Sequence, residues 1–289
     1  MNKYKGIDVS TWQKIIDWNM VKQSGVEFAM IRASYGFSSN GKDARFDYNY
    51  KNAKKAGIPV GAYHFSYATS VEDAIKEADF FYSVIKGKKF EYPVAYDVED
   101  ERIAKLGKAK VSEIVKAFCD RMEKYGYYVS VYANKYWLTN YMDDEILKKY
   151  DIWLAQWTSN PTFTKPYGIW QKSSKGKVAG IEGYVDLNES YKNYPAIMKY
   201  NGLNGFGNDN PEPPTDEYGA GKRVVFKNVP LYGTATTEQI ANYLSGTFYI
   251  YDGKYIAGRY RVTNSIKNVE RKPFSKFVTG FVDRKYLGG

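Results

Sequence analysis

Tyr92-Pro93-Val94-Ala95-Tyr96-Asp97-Val98-Glu99 reads as a short buried strand that ends in two carboxylates. The run up to Tyr96 is apolar and aromatic, and it is too short for a helix. Residues i and i+2 of a strand face one side, about 6.6 Å apart along it at roughly 3.3 Å per residue. Asp97 and Glu99 therefore share a face, and repulsion between them raises one pKa. One carboxyl can then keep its proton as a general acid while its partner stays ionised, which is what cleavage of a glycosidic bond requires. Taken alone, the pair also fits the start of a solvated acidic loop, because Asp100 and Glu101 follow.

Working outward, runs of the same kind recur at Gly6–Asp8, Phe28–Ser34, Pro59–Phe65, Tyr128–Asn134, Ile152–Trp157, Gly168–Gln171 and Tyr184–Asn188. Amphipathic helical stretches lie between many of them, at Trp18–Ser24, Tyr48–Ala56, Val71–Ile85, Val111–Tyr125 and Asp143–Lys149. Two of these stop at a glycine, Ala56-Gly57 and Tyr125-Gly126, where a left-handed cap is expected. Strands alternating with helices predict an α/β chain with a parallel sheet and helices outside it. With eight strands the sheet closes into a TIM-type β/α barrel, irregular at its end, where the connections are too short for good helices.

The composition changes after Met198. Residues 201–217 contain Asn201-Gly202-Leu203-Asn204-Gly205-Phe206-Gly207-Asn208 and Pro211-Glu212-Pro213-Pro214, which reads as a linker. Strand-like runs follow at Arg223–Phe226, Thr247–Tyr251, Tyr255–Val262 and Lys276–Val282, separated by Gly, Asn and Asp. That pattern predicts a small all-β domain over 218–289, after a larger domain over 1–200.

The formal charge is +10, with 12 basic and 8 acidic residues from Asn201 onward, so basicity is spread along the chain. An anionic polymer fits this balance, whether nucleic acid or a bacterial wall; no recognised nucleic-acid module is present. Aromatic residues make up 17% of the chain, with 29 Tyr, whose flat faces and polar tips suit sugar rings. Cys119 is the single cysteine, which excludes an intrachain disulfide, and its helical stretch marks it as a buried thiol. No apolar run approaches the ~18–20 residues of a membrane span, so no membrane insertion is expected. Met1-Asn2-Lys3-Tyr4-Lys5 leads directly into the first strand without a secretory signal. The expectation is synthesis in the cytoplasm without an export signal of its own.

In a parallel barrel the functional groups sit at the C-terminal ends of strands. Those ends carry Asp8, Arg32, His64, Asp97 with Glu99, Tyr132 with Asn134, Gln156 with Trp157, Gln171 and Asp186. Acids at three of these ends point to carboxylate chemistry at one mouth. His64, the single histidine, reads by itself as a buried, hydrogen-bonded residue. There is no Cys/His cluster for a metal, no glycine-rich phosphate loop, and no serine in a nucleophile elbow, so no cofactor is expected.

Together these motifs become recognisable. Gly6-Ile7-Asp8-Val9-Ser10 with Trp12-Gln13, Ile31-Arg32-Ala33, Gly61-Ala62-Tyr63-His64-Phe65, Asp97-Val98-Glu99, Val131-Tyr132, Trp153-Leu154-Ala155-Gln156-Trp157, Trp170-Gln171 and Val185-Asp186 closely resemble the family 25 glycoside hydrolases, the Chalaropsis-type lysozymes. The resemblance runs in order from Gly6 to about Asn188. It implies hydrolysis of the β-1,4 bond between N-acetylmuramic acid and N-acetylglucosamine in peptidoglycan. The family's acids fall on Asp8, Asp97, Glu99 and Asp186, with Glu99 as general acid and Asp97 either orienting the substrate's 2-acetamido group or attacking the anomeric carbon directly. Asp8 and Asp186 would hold the other side of the cleft and, as ionised neighbours, tune Glu99. Arg32, Tyr63, His64, Tyr132, Gln156, Trp157 and Gln171 are the expected substrate-binding residues. Many relatives are phage endolysins carrying a wall-binding module, and the tail fits an SH3-like barrel with that role. A chitinase-type barrel lacks support, because Val94, Ala95 and Tyr96 stand where its further acids would be. A non-catalytic wall lectin is the remaining alternative, and the complete acid set argues against it.

Overall fold

The structure, a computed structural model, describes residues 3–207 and 218–287. The chain divides into two compact units, one built from Lys3–Met198 with Leu203–Phe206 and another that contains residues 218–287.

The first unit is a closed barrel of eight strands: β1 (Tyr4–Val9), β2 (Phe28–Tyr35), β3 (Val60–Phe65), β4 (Val94–Asp97), β5 (Val129–Asn134), β6 (Asp151–Ala155), β7 (Ile169–Gly176) and β8 (Val185–Ser190). Helices α1 (Trp18–Gln23), α2 (Phe46–Lys55), α3 (Val71–Ile85), α4 (Glu101–Ala104), α5 (Lys108–Lys124), α6 (Lys135–Asn140) and α7 (Asp144–Lys149) occupy the early connections. Local chemistry starts and stops them. Asp17 caps α1 by accepting from the Asn19 and Met20 amides, and Ser70 caps α3 through the Asp73 amide. Gly57 and Gly126 take positive φ, 71° and 83°, just past α2 and α5, as expected of glycine caps.

Strands β1 to β7 pair in parallel, but β8 runs antiparallel to both β7 and β1. The parallel expectation fails there for a steric reason. A parallel return needs a crossover of about a dozen residues or more, and the short 177–184 connection permits only a reversal. The reversal places Asp186 at the start of β8, not at its end, in register with Asp8. It reaches the same mouth from the opposite chain direction.

Alternation decides what each strand residue meets. Phe28, Met30, Tyr63, Ala95, Tyr132, Trp153 and Ile169 fill the barrel, whereas Ile7, Val9, Ile31, Ala62, Val94, Tyr96, Val131, Ile152 and Leu154 face the helix layer. Gly6 makes room inside, since a Cβ there would lie 2.2 Å from the Phe28 ring.

The N-terminal end of the barrel is closed by Tyr92, Tyr194, Ile197 and Met198, with Leu203 and Phe206 packed beside them. Ile197 and Met198 lie on α8 (Tyr194–Asn201). The first domain thus extends past the expected boundary at 200, and Leu203–Phe206 belongs to the barrel unit. Asn204 explains this. It is fully buried at φ 54°, and its Oδ1 accepts the Tyr128 amide at 2.7 Å while its Nδ2 donates to the Tyr92 carbonyl at 2.7 Å. Residues 208–217 of the expected linker, including Pro211-Glu212-Pro213-Pro214, lie outside the described residues.

The second unit is a closed barrel of β9 (Arg223–Tyr232), β10 (Ile240–Ile256), β11 (Arg259–Thr263) and β12 (Gly280–Asp283), all paired antiparallel around Val224, Phe226, Leu231, Ile250, Val262 and Val282. Three strand expectations change. The run Thr247–Tyr251 is the middle of one long strand, β10. The run Tyr255–Val262 is a hairpin that turns at Ala257-Gly258, both at positive φ. Lys276 falls in a short helix, α9 (Phe274–Phe277), before β12 begins. Arg259 is buried against the Tyr232 ring, bonds Asp283 at 2.7 Å, and donates to the carbonyls of Thr234 and Ala235.

Asn204→Ala removes two side-chain bonds and leaves the Tyr128 N–H and Tyr92 C=O without them. The barrel should lose roughly 3 kcal/mol. Its thermal transition, followed by calorimetry, should fall by about 5–10 °C.

Candidate active site

The C-terminal mouth opens into a cleft of about 350 Å³ whose lining includes Asp8, Arg32, Asp97, Glu99, Tyr132 and Asp186. All four expected acids therefore meet in one place. Asp8 ends β1 on the inward side, between outward Ile7 and Val9. Asp97 ends β4, and the ladder stops there, short of the expected strand end at Glu99. Val98 still turns into the outer core and its amide donates to the Tyr132 carbonyl at 3.1 Å, so Asp97 and Glu99 both reach the cleft.

Neutral amides organise the Asp8 side. Asp8 Oδ2 accepts from Gln171 Nε2 at 2.9 Å and from Asn188 Nδ2 at 2.7 Å. Asn188 Oδ1 in turn accepts the Trp153 indole N–H at 2.8 Å. Gln171 Oε1 accepts from the Tyr132 hydroxyl and from the Trp157 indole N–H, each at 3.0 Å. One glutamine thus orients an acid, a tyrosine and an exposed indole. Arg32 is the one cation among the cleft-lining residues, and its Nε donates to Asp43 Oδ2 at 2.8 Å. Asp43 is buried and also accepts the amides of Thr11 and Arg45.

Burial and crowding raise all four acids. Asp97 is pushed well above the usual carboxylate range, first by burial and then by the Glu99 and Asp8 charges, with Arg32 opposing. Its Oδ1 is buried without a hydrogen-bond partner. Glu99 is raised by burial and then by Asp186, and Asp186 is raised by burial. Asp8 is pushed up to about 8, chiefly by burial and then by Asp186, against the pull of its two amide donors. Burial thus opposes ionisation of Asp8 beside Glu99.

Two expected substrate-binding residues lie elsewhere. His64 alternates with Tyr63 and faces the helix layer, fully buried, with Nδ1 2.8 Å from Ser34 Oγ. Gln156 follows outward Leu154 by two residues and bonds Thr162, through Nε2 to its Oγ1 at 2.8 Å and through Oε1 from its amide at 3.0 Å. Arg32, Tyr63, Tyr132, Trp157 and Gln171 do line the cleft. Three participants escaped the sequence reading. Asn188 could have been found, since it lies two residues past Asp186 on one strand face. Trp12, also in the cleft lining, is 78% exposed on a turn whose capping box joins Ser10 and Gln13. Asp43 carried no signal, because it sits in a loop without periodicity. Among the described residues no cluster of His, Cys, Asp and Glu is arranged to hold a metal ion.

A β/α barrel with grouped carboxyls and exposed indoles at its C-terminal mouth is the architecture of a glycoside hydrolase. Residues 7–181 match the family model for glycosyl hydrolases family 25. The chain belongs to that family. It is 34% identical over 191 residues to an autolytic lysozyme of Clostridium acetobutylicum, covering 64% of this chain and 55% of that protein. The chain therefore matches little more than half the length of that relative. Its structure is similar to the lysozyme of Streptomyces coelicolor, with a TM-score of 0.58 and 28% identity over 72% of this chain and 100% of the other. It is also similar to the catalytic domain of the endolysin ply40 from bacteriophage P40 of Listeria monocytogenes, with a TM-score of 0.57 and 26% identity over 68% and 98%. The family match ends at residue 181 and leaves the second unit outside it.

Replacing Gln171 by Met removes a donor that favours ionised Asp8. The Asp8 carboxyl, followed by carbon-13 NMR, should then titrate higher by up to about one pH unit.

Proposed function

We propose that the barrel is a muramidase that cleaves the β-1,4 bond between N-acetylmuramic acid and N-acetylglucosamine, and that the second unit is an SH3-like module that binds the same wall. The observation that carries the first part is the pairing of a buried, unpartnered Asp97 Oδ1 with a Glu99 whose pKa is raised by burial and by Asp186. A buried acceptor without a donor is costly, and such sites are completed by ligand. The 2-acetamido N–H of a bound sugar supplies that donor and draws Asp97 toward its ionised form.

In this reading Glu99 protonates the leaving oxygen while the acetamide carbonyl oxygen bonds to the anomeric carbon. Water then adds at that carbon, breaking its bond to the acetamide oxygen and giving its proton to Glu99. Asp186, through its charge, keeps Glu99 protonated. Asp8, with Gln171 and Asn188, shapes the opposite wall, and Trp12 and Trp157 offer flat faces to sugar rings. A wall lectin has no use for four crowded carboxyls, whose mutual repulsion opposes folding. For the second unit the support is its closed all-β barrel, exposed Tyr243 and Ile240, and the basic balance of the tail against an anionic wall. Peptidoglycan is the partner; nucleic acid, membrane insertion and a cofactor have no part in this scheme.

Glu99→Gln should lower release of reducing ends from walls at least ~10²-fold with folding intact. Near-normal cleavage would sink the assignment. On a soluble fragment at fixed ionic strength, activity should be bell-shaped in pH, with the alkaline limb reporting loss of the Glu99 proton. Asp186→Asn removes a repelling charge, so that limb should move down by roughly half to one pH unit. A limb that stays or rises removes Asp186 from this role. Separately, residues 218–289 should sediment with purified walls without releasing reducing ends, while residues 1–207 should release them.

A further inference from the structure

We propose that Glu77, which is not among the residues lining the cleft, is a positioning residue that ties the ends of β3 and β4 together and so sets where Asp97 stands. Glu77 lies on α3 and is fully buried. Its Oε2 accepts from Ser66 Oγ at 2.9 Å and from the Tyr96 hydroxyl at 2.9 Å, and its Oε1 accepts the Tyr67 amide at 2.7 Å. Ser66 and Tyr67 directly follow β3, and Tyr96 directly precedes Asp97 on β4. Ser66 also donates its amide to the Asp97 carbonyl at 2.9 Å. The backbone of the acid is therefore held in front by the ladder and behind by this carboxylate.

Strand alternation makes the tie consequential. Tyr96 points into the helix layer and Asp97 into the cleft, so any rotation of the strand end moves both. Asp97 is raised by the charges of Glu99 and Asp8 and Glu99 by that of Asp186, so any pair that ionises together pushes its strand ends apart, with Arg32 as the cation beside them in the cleft lining. Resistance has to come from the far side of the sheet. His64 supplies the floor of the tie. Its Nδ1 meets Ser34 Oγ on β2 at 2.8 Å, its Nε2 lies 3.6 Å from Glu77 Oε2, and its ring packs against Phe81 and Phe118. Apolar residues of similar volume would fill such a seam at lower desolvation cost, so a buried carboxylate here argues for placement over bulk stability.

The effect on turnover rests on reading Asp97 and Glu99 as the reacting acids; the effect on their titration does not. The test compares full-length wild type, Glu77→Gln and Tyr96→Phe, with Ile85→Val as a control that weakens α3 packing without touching the tie. Asp97 and Glu99 carboxyls are titrated by carbon-13 NMR, and kcat and KM are measured on a soluble peptidoglycan fragment. Releasing the strand end by ~1 Å lets Asp97 move away from Glu99, so the Asp97 midpoint should fall by about half a pH unit in Tyr96→Phe. kcat should fall about tenfold with KM within about twofold, because orientation and not affinity is lost. Ile85→Val should lower Tm and leave midpoints and kcat alone. Unchanged midpoints and kcat in Tyr96→Phe overturn the proposal and reduce Glu77 to a stabilising role, even if Glu77→Gln fails to fold. Shifted midpoints in a protein whose wild type cleaves no wall would uphold the positioning role and sink the muramidase reading.

Discussion

Four carboxyls crowd one barrel mouth, and on the Asp8 side neutral dipoles do the restraining. Asp8 is held by the amides of Gln171 and Asn188. Arg32, the cation within the cleft lining, directs its Nε to Asp43. A neutral donor orients a carboxyl without adding a positive charge, so Asp8 stays in place while burial and Asp186 still keep its pKa high. Had lysines or further arginines filled these positions, the acids would be fixed but ionised, and no proton would be held for transfer.

That constraint reaches outward through the fold. Gln171 serves Asp8, Tyr132 and Trp157 at once, so the acid, the wall and the exposed indole are not independently placed. Asn188 does the same for Asp8 and Trp153. Behind the sheet, Glu77 gathers Ser66, Tyr67 and Tyr96. At the other end Asn204 joins Tyr92 and Tyr128, the residues that lead into β4 and β5. Each buried polar side chain bridges segments far apart in sequence, and each is bonded where it would otherwise be costly.

The second unit obeys the same economy with one residue. Buried Arg259 stacks on Tyr232 and binds Asp283 and the carbonyls of the 234–237 turn region, so its charge is fully engaged in holding a loop.

Much of this was legible in the chain because strand and helix periods are local. The runs around Asp8, Arg32, Asp97, Tyr132 and Gln171 announced strands, and Gly57 and Gly126 announced helix ends. Alternation even contains the answer for His64 and Gln156, since each sits one residue out of phase with an inward neighbour, Tyr63 and Ala155. The motif reading placed them in the cleft, and the pleat turned them away. What the sequence by itself determined was the set of elements and the acids they carry. Tertiary structure alone decided the direction of β8, the register of Asp186 against Asp8, the capture of Asn204 under the barrel, and the burial that raises Asp8. Those depend on loop length, closure and burial, which are properties of the assembled barrel, and no local window of residues encodes them.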